Sequence, residues 1–269
     1  MKYYPFTSVH HGVVNVGDLP IPFDVVLNSS ALVVLITFVY LKISWKESLI
    51  THREEFFNDK GNLIGKLFGF LLLFLLIAPG IVSNESAKTS ISPLLLWVFL
   101  WIGVPVLGLL FGDVYAKFNP LNLFSINSNK PKSVYLACIL FVGLTWFELV
   151  WRKPGNPFNI GVVFILLFIS VNSSRYFLKK SLIEVDPLLL LHYLYSKLQL
   201  FNSRPYFRSL LDNIGNLARL KGIEYFVLLM IGTVTYDGLR ETTFWYEQFG
   251  SRINDMGFST MMFIFMNLT

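Results

Sequence analysis

Long apolar stretches alternate with short polar segments along this chain. Each apolar stretch comes close to the roughly 20 residues that a helix needs to cross a bilayer. The six stretches are residues 24–43, 64–83, 93–112, 134–151, 159–178 and 224–244. The chain ends about twelve residues into a further apolar stretch. The pattern predicts an all-α fold, a polytopic transmembrane helix bundle with six complete spans and the start of a seventh.

The polar segments divide this bundle into parts. Residues 1–23 form a tail without the apolar core of a cleavable signal peptide, and residues 24–269 form one transmembrane domain. Lys and Arg number 16 on the side that holds the loops after spans one, three and five, with Arg175 counted in the fifth loop, against 6 on the other side. The positive-inside rule predicts a multi-pass plasma-membrane protein with the tail outside and residues 179–223 in the cytoplasm.

The cytoplasmic segment contains a second helical pattern, at residues 187–201. Leu188, Leu191, Leu194 and Leu198 recur at helical spacing, and His192, Ser196 and Gln199 fall on the opposite side. An amphipathic helix lying in the inner interface is the favoured interpretation. A re-entrant segment or an additional crossing stays open as the alternative.

Composition agrees with a lipid environment. Apolar residues make up 54% of the chain and charged residues 14%, whereas soluble domains have about 45–50% and about 25%. The net charge of +5 is spread between apolar blocks, so nucleic acid is not an expected partner. The lipid bilayer is the expected partner, with other membrane subunits as a further candidate. The single cysteine, Cys138, excludes an internal disulfide framework.

Five short motifs occur in a fixed order along the chain. They are His11-Gly12 with residues 18–22, Gly112-Asp113 with Asn119-Pro120, residues 146–150, Asp186-Pro187, and residues 236–239 with residues 243–245. Their order and spacing resemble a family of polytopic membrane proteins of actinobacteria and relatives, some of which carry the label fenitrothion hydrolase. The resemblance implies hydrolysis of an organophosphorus ester, and it implies a longer chain with further spans.

The predicted threading brings several acidic and imidazole side chains to the outer face. The tail carries His10, His11 and Asp18, and spans four and six carry Glu148 and Asp237 near their outer ends, with Glu241 close behind. Imidazole and carboxylate form a ligand set for a divalent transition metal such as zinc, copper or iron. Such a metal activates water, the chemistry that ester hydrolysis needs. His10, His11 and Asp18 are therefore candidate metal ligands, and Glu148 and Asp237 are candidate catalytic residues.

Each of these residues also has a simpler interpretation. A His-His pair in a tail is commonly solvated, and Glu148 can pair with Arg152 one turn away. Asp237 stands either at a break within a span, where binding sites often form, or at a helix end. Asp113 is expected to be structural, either bonding the backbone of the loop that contains Asn119-Pro120 or pairing with Lys117, and Asn119 is a further structural or polar candidate.

Three classes of function stay open at this point. The chain contains no phosphate-binding loop, HExxH motif or GxSxG elbow, so ATP-driven transport by this chain alone is not expected. The candidates are a membrane hydrolase or enzyme subunit, a carrier, and a non-catalytic subunit of a membrane complex.

Overall fold

The structure is a computed structural model that describes residues 23–44, 63–82, 90–124, 126, 129–200, 217, 220–252 and 255–268. Each of the six predicted spans coincides with a helix. The helices are α1 (Phe23–Ser44), α2 (Leu63–Val82), a continuous run of α3 (Ile91–Pro93), a π-helical stretch (Leu94–Gly103) and α4 (Val104–Phe111), then α6 (Tyr135–Leu149), α7 (Pro157–Leu178) and α10 (Ile223–Arg240). The predicted start of a seventh span is α12 (Met256–Leu268). The all-α class is confirmed in the described residues.

Shorter helices connect these long ones. They are α5 (Tyr115–Phe118), α8 (Leu182–Val185), α9 (Pro187–Ser196), α11 (Thr243–Phe249) and a 3-10 turn (Gly250–Arg252). Between Ser133 and Lys221 the backbone forms an isolated parallel β-bridge.

Within the described residues, three helices are long and apolar enough to cross a membrane. They are Leu63–Val82, Ile91–Phe111 and Pro157–Leu178. Six complete crossings are therefore not confirmed. Helix α6 has 15 residues and rises about 22 Å, less than the roughly 30 Å of a hydrocarbon core. Helix α10 carries Glu224, Asp237 and Arg240 within its 18 residues, which lowers its hydropathy.

Large apolar side chains cover much of the outer surface of these helices. Phe70 on α2, Ile139 on α6, Leu166 on α7 and Leu228 on α10 are all more than half exposed. Soluble monomers rarely expose large contiguous apolar surface. Contact with a lipid bilayer explains why these apolar side chains are exposed. The fold is therefore that of an integral membrane protein.

Glycines bring α2 and α7 into backbone contact. A Cβ atom on Gly80 would lie 2.5 Å from the carbonyl oxygen of Pro157, and one on Gly161 would lie 3.3 Å from that of Ile77. Helices in membranes associate through such small residues because lipid provides no hydrophobic force between them. The contacts pair the end of α2 with the start of α7, so the two helices run antiparallel.

Helices α6 and α10 start at the same end of the bundle and run in the same direction. The amide of Val134 donates to the carbonyl of Lys221 (2.9 Å), and the amide of Lys221 donates to the carbonyl of Lys132 (3.0 Å). At the far end, the Arg240 guanidinium donates to the carbonyl of Leu149. This arrangement agrees with the alternation of spans predicted from the sequence.

The segment predicted as a two-faced surface helix is a helix, α9, but its surroundings differ from the prediction. Leu188 and Leu191 are buried, as expected for an apolar side. His192 and Ser196, predicted on the polar side, are buried as well. Helix α9 packs against α4, where its backbone approaches Gly108, so protein covers both of its sides instead of lipid on one and water on the other.

The close contact between α2 and α7 yields a stability prediction. Replacing Gly80 with Ala forces the Pro157 backbone to move, and overpacking of this kind costs about 1–3 kcal/mol. Thermal unfolding in detergent is expected to show a lower midpoint for Gly80→Ala. The control is Gly143→Ala on α6, where a Cβ atom meets nothing within 4 Å. Equal midpoints for the two variants would contradict the packing described here.

Candidate functional site

A cavity of about 120 Å³ lies between α6, α9 and α10. Its described lining contains two acidic side chains and two hydroxyl groups among aromatic and aliphatic side chains. Its lining is Trp101, Phe141, Glu148, Leu149, Leu191, Tyr195, Met230, Thr233, Val234 and Asp237. Pockets for drug-sized ligands measure about 300–1,000 Å³, so this cavity suits an ion or a compact molecule.

Helical spacing explains which side chains reach the cavity. On α6, Phe141 and Glu148 are seven residues apart and therefore share a face. On α10, Met230, Thr233 and Asp237 follow the i, i+3, i+7 pattern of one face. Because the two helices are parallel, their late residues Glu148 and Asp237 reach the same end of the cavity.

The two carboxylates are partly shielded from solvent. Glu148 and Asp237 are both of intermediate exposure, and Asp237 lies within electrostatic reach of Glu148. One turn beyond Asp237, the Arg240 side chain binds the carbonyl of Leu149, which also lines the cavity. Two acids and one guanidinium therefore lie at this end of the cavity.

The other candidates from the sequence have separate outcomes. His10, His11 and Asp18 lie outside the described residues, so a metal site formed with them stays a prediction. Glu241 is the C-cap residue of α10. Among the residues that the structure describes, no three His, Cys, Asp or Glu side chains form a group that could hold a metal ion.

Asp113 and Asn119 occupy structural positions in the loop after α4. The Asp113 carboxylate accepts a hydrogen bond from the Ala116 amide (3.3 Å) at the start of α5. The Asn119 carbonyl oxygen accepts from the Leu121 amide (2.7 Å). Both bonds fix the backbone of this loop.

Sequence reasoning missed a buried carboxylate that organises the opposite end of the bundle. Asp186 is fully buried and caps α9 by accepting hydrogen bonds from the Leu188 (2.9 Å) and Leu189 (3.0 Å) amides. The Asn119 amide donates to its second oxygen at 2.6 Å. Burial raises the pKa of Asp186 to about 6, against the opposing effect of these bonds and of Arg175.

Arg175 and Glu184 extend this polar end. Arg175, buried within α7, donates to the Asn122 side chain at 3.2 Å; the charge count that predicted the orientation had assigned it to a loop. Glu184 accepts from the Ser181 amide and from Lys180. Burial acts to raise the pKa of Glu184, but these hydrogen bonds and those from the amides of residues 132 and 133 outweigh burial and lower it.

His192 and Tyr115 form a buried ring contact beside this end, with centroids 4.3 Å apart. In the described part of the chain, the two imidazole nitrogens of His192 and the phenol oxygen of Tyr115 have no hydrogen-bond partner. Burial lowers the pKa of His192 to about 3. The imidazole is therefore neutral at physiological pH and packs against the ring.

Part of this network was visible as a sequence signal. Asp followed by Pro is a typical helix start, because Asp caps the helix and Pro suits its first turn. The sequence contains that signal at Asp186-Pro187. The partner Asn119, 67 residues away, has no local signal that connects it to Asp186.

No family model, no curated protein and no solved structure matches this chain. The resemblance described from the five motifs therefore stays a prediction, and the site has to be interpreted from its own geometry.

The raised pKa of Asp186 predicts a pH dependence of stability. Its folded pKa of about 6 exceeds the ordinary 3.8, so the folded state binds the proton more tightly than the unfolded state does. Stability is then highest below about pH 4 and is lost as the pH rises through about 6, by on the order of 3 kcal/mol.

This dependence can be measured by thermal unfolding in detergent between about pH 4.5 and pH 7. Wild type is expected to become less stable across that range relative to Asp186→Asn, which cannot ionise. Ionisation of Glu184 stabilises the folded state instead, because its pKa is depressed, and this contribution is lost only at lower pH. Parallel pH profiles for the two proteins would show that Asp186 does not titrate as described.

Proposed function

We propose that this integral membrane protein is a carrier that binds one monovalent cation, in exchange for a proton, between α6 and α10. The observation that supports this proposal is the presence of Glu148 and Asp237 in one small cavity. Ionisable residues at membrane depth are costly and usually functional. A cavity whose acids face helix walls is typical of ion and proton pathways.

The charge balance of the cavity supports a monovalent occupant. Glu148 and Asp237 contribute two negative charges when ionised, and Arg240 contributes one positive charge nearby. Carboxylates close together in a poorly solvated place repel each other, so a proton or a cation is favoured there. One remaining negative charge is balanced by one proton or one monovalent cation.

The size of the cavity favours a carrier over the hydrolase that the family label implies. A volume of about 120 Å³ is below the range of pockets for drug-sized organic molecules. An aromatic organophosphorus ester belongs to that size class. The metal-assisted alternative depends on His10, His11 and Asp18, which lie outside the described residues.

We further propose the orientation given by the basic residues, in the plasma membrane with the cavity's acidic end outside. The other end of the bundle contains Lys132, Lys180 and Lys221, as the positive-inside rule requires of a cytoplasmic face. An acidic site near the outer face suits the capture of external cations.

Exchange of cation for proton predicts a measurable release of protons. Sodium, potassium or tetramethylammonium chloride is added separately to the purified full chain in weakly buffered detergent. At least one salt is expected to release about one proton per chain, detected with a pH indicator. Glu148→Gln and Asp237→Asn are expected to abolish the release, because each removes one of the two carboxylates whose mutual repulsion favours a bound proton or cation.

The matched control is Glu224→Gln, an exposed glutamate at the other end of α10. It is expected to release protons as wild type does. The proposal is wrong if no salt releases protons, or if Glu148→Gln behaves as wild type does.

The orientation predicts the pattern of thiol labelling in intact cells. In a Cys138→Ala background, a membrane-impermeant maleimide is expected to label Arg152→Cys and to leave Lys132→Cys unlabelled until the cells are permeabilised. Both positions are exposed in the structure, so access depends on the side of the membrane. Labelling of position 132 alone would reverse the orientation.

A further inference from the structure

We infer that the cation bound between α6 and α10 is a compact organic ammonium ion. This inference rests on the proposed function and concerns the chemistry of the ligand. It depends on the composition of the cavity wall, which is unlike that of a site for an inorganic ion.

Three aromatic side chains form much of the wall. Trp101, Phe141 and Tyr195 come from three separate helical elements and all line the cavity. The Trp101 and Phe141 rings stack with centroids 6.3 Å apart and planes 12° apart. Aromatic faces attract organic cations through their quadrupoles, and clusters of such rings recognise quaternary and methylated ammonium groups.

The described lining of the cavity is mostly carbon, which suits an organic cation better than a hard inorganic one. The lining side chains provide the two carboxylates and the hydroxyls of Thr233 and Tyr195. The Thr233 hydroxyl is already hydrogen-bonded to Asn267 (3.0 Å). Hard cations such as Ca²⁺ are held by about six to eight oxygens and not by carbon, whereas most of the described lining side chains are aromatic or aliphatic. The alkyl groups of an ammonium ion instead pack against these apolar side chains.

The remaining walls suit methyl and methylene groups. Leu191 and Met230 lie on opposite elements of the cavity, α9 and α10. Methionine adapts its shape to irregular partners. The positive charge of the ligand can lie toward Glu148 and Asp237 while its alkyl groups contact these side chains and the rings.

Other charges near the cavity are compatible with a single positive ligand. Among the described residues, Arg240 bonds to a wall residue of the cavity through the carbonyl of Leu149, and Arg152 and Lys153 follow the end of α6 as exposed side chains. The single positive charge of Arg240 leaves the two cavity carboxylates, when ionised, with a net charge of minus one. A dication would exceed this balance, and an anion would face a net negative site.

Isothermal titration calorimetry of the purified full chain tests this inference, with tetramethylammonium chloride as the probe at constant ionic strength. Binding to wild type is expected. Trp101→Leu removes a cation–π partner worth about 1–2 kcal/mol, so its dissociation constant is expected to rise about 5- to 30-fold. Trp101→Phe keeps a ring and is expected to recover part of the affinity.

Two comparisons separate charge recognition from apolar fit. Choline is expected to bind, whereas its neutral isostere with carbon in place of nitrogen is not. Glu148→Gln is expected to abolish binding, and Glu224→Gln is expected to leave it unchanged. Equal binding of choline and the neutral isostere would overturn the ammonium assignment.

The outcomes also distinguish this inference from the proposed function. If sodium or potassium releases protons through Glu148 while tetramethylammonium does not bind, the ammonium assignment is wrong and the carrier proposal stands. If tetramethylammonium binds equally well to wild type and Trp101→Leu, the aromatic wall is not the recognition element. If no cation binds or releases protons, both proposals are wrong.

Discussion

The parallel alignment of α6 and α10 is the constraint on which the rest of the site depends. The backbone bonds that join residues 132–134 to Lys221 fix the two helix starts at one level. Each later residue then has a set depth, because a helix rises about 1.5 Å per residue. Glu148 and Asp237 therefore reach the same end of the bundle. A slip of one turn between the helices would separate the acids and open the cavity.

The opposite end of the bundle provides rigidity. Asp186 caps α9 and binds Asn119, which fixes the loop after α4 against the start of α9. Since α9 supplies Leu191 and Tyr195 to the cavity wall, the buried carboxylate acts on the site by positioning this helix. At the end that holds Glu148, the close packing of α2 on α7 through Gly80 and Gly161 adds to this support. Support for the site therefore comes from both ends of the bundle.

The sequence predicted the helices well because apolar length is a local property. The stretch 93–112, for example, is the helix Ile91–Phe111, and alternating spans bring Glu148 and Asp237 to one end. Tertiary contacts were beyond such reasoning. The burial of His192 depends on Tyr115, and the cap Asp186 depends on the distant Asn119. Arg175 looked like a loop cation because an apolar stretch that ends in charges does not reveal which charge is buried.

Crosslinking of α6 to α10 tests the shared cavity most directly. In a Cys138→Ala background, the double variant Glu148→Cys, Asp237→Cys is treated with a short bifunctional thiol reagent, and the matched pair is Tyr135→Cys, Asp237→Cys. An intramolecular crosslink is expected for the first pair alone, because Tyr135 contacts Tyr225 at the other end of α10. A crosslink in the second pair, or none in the first, would contradict the parallel alignment and with it the two-carboxylate site.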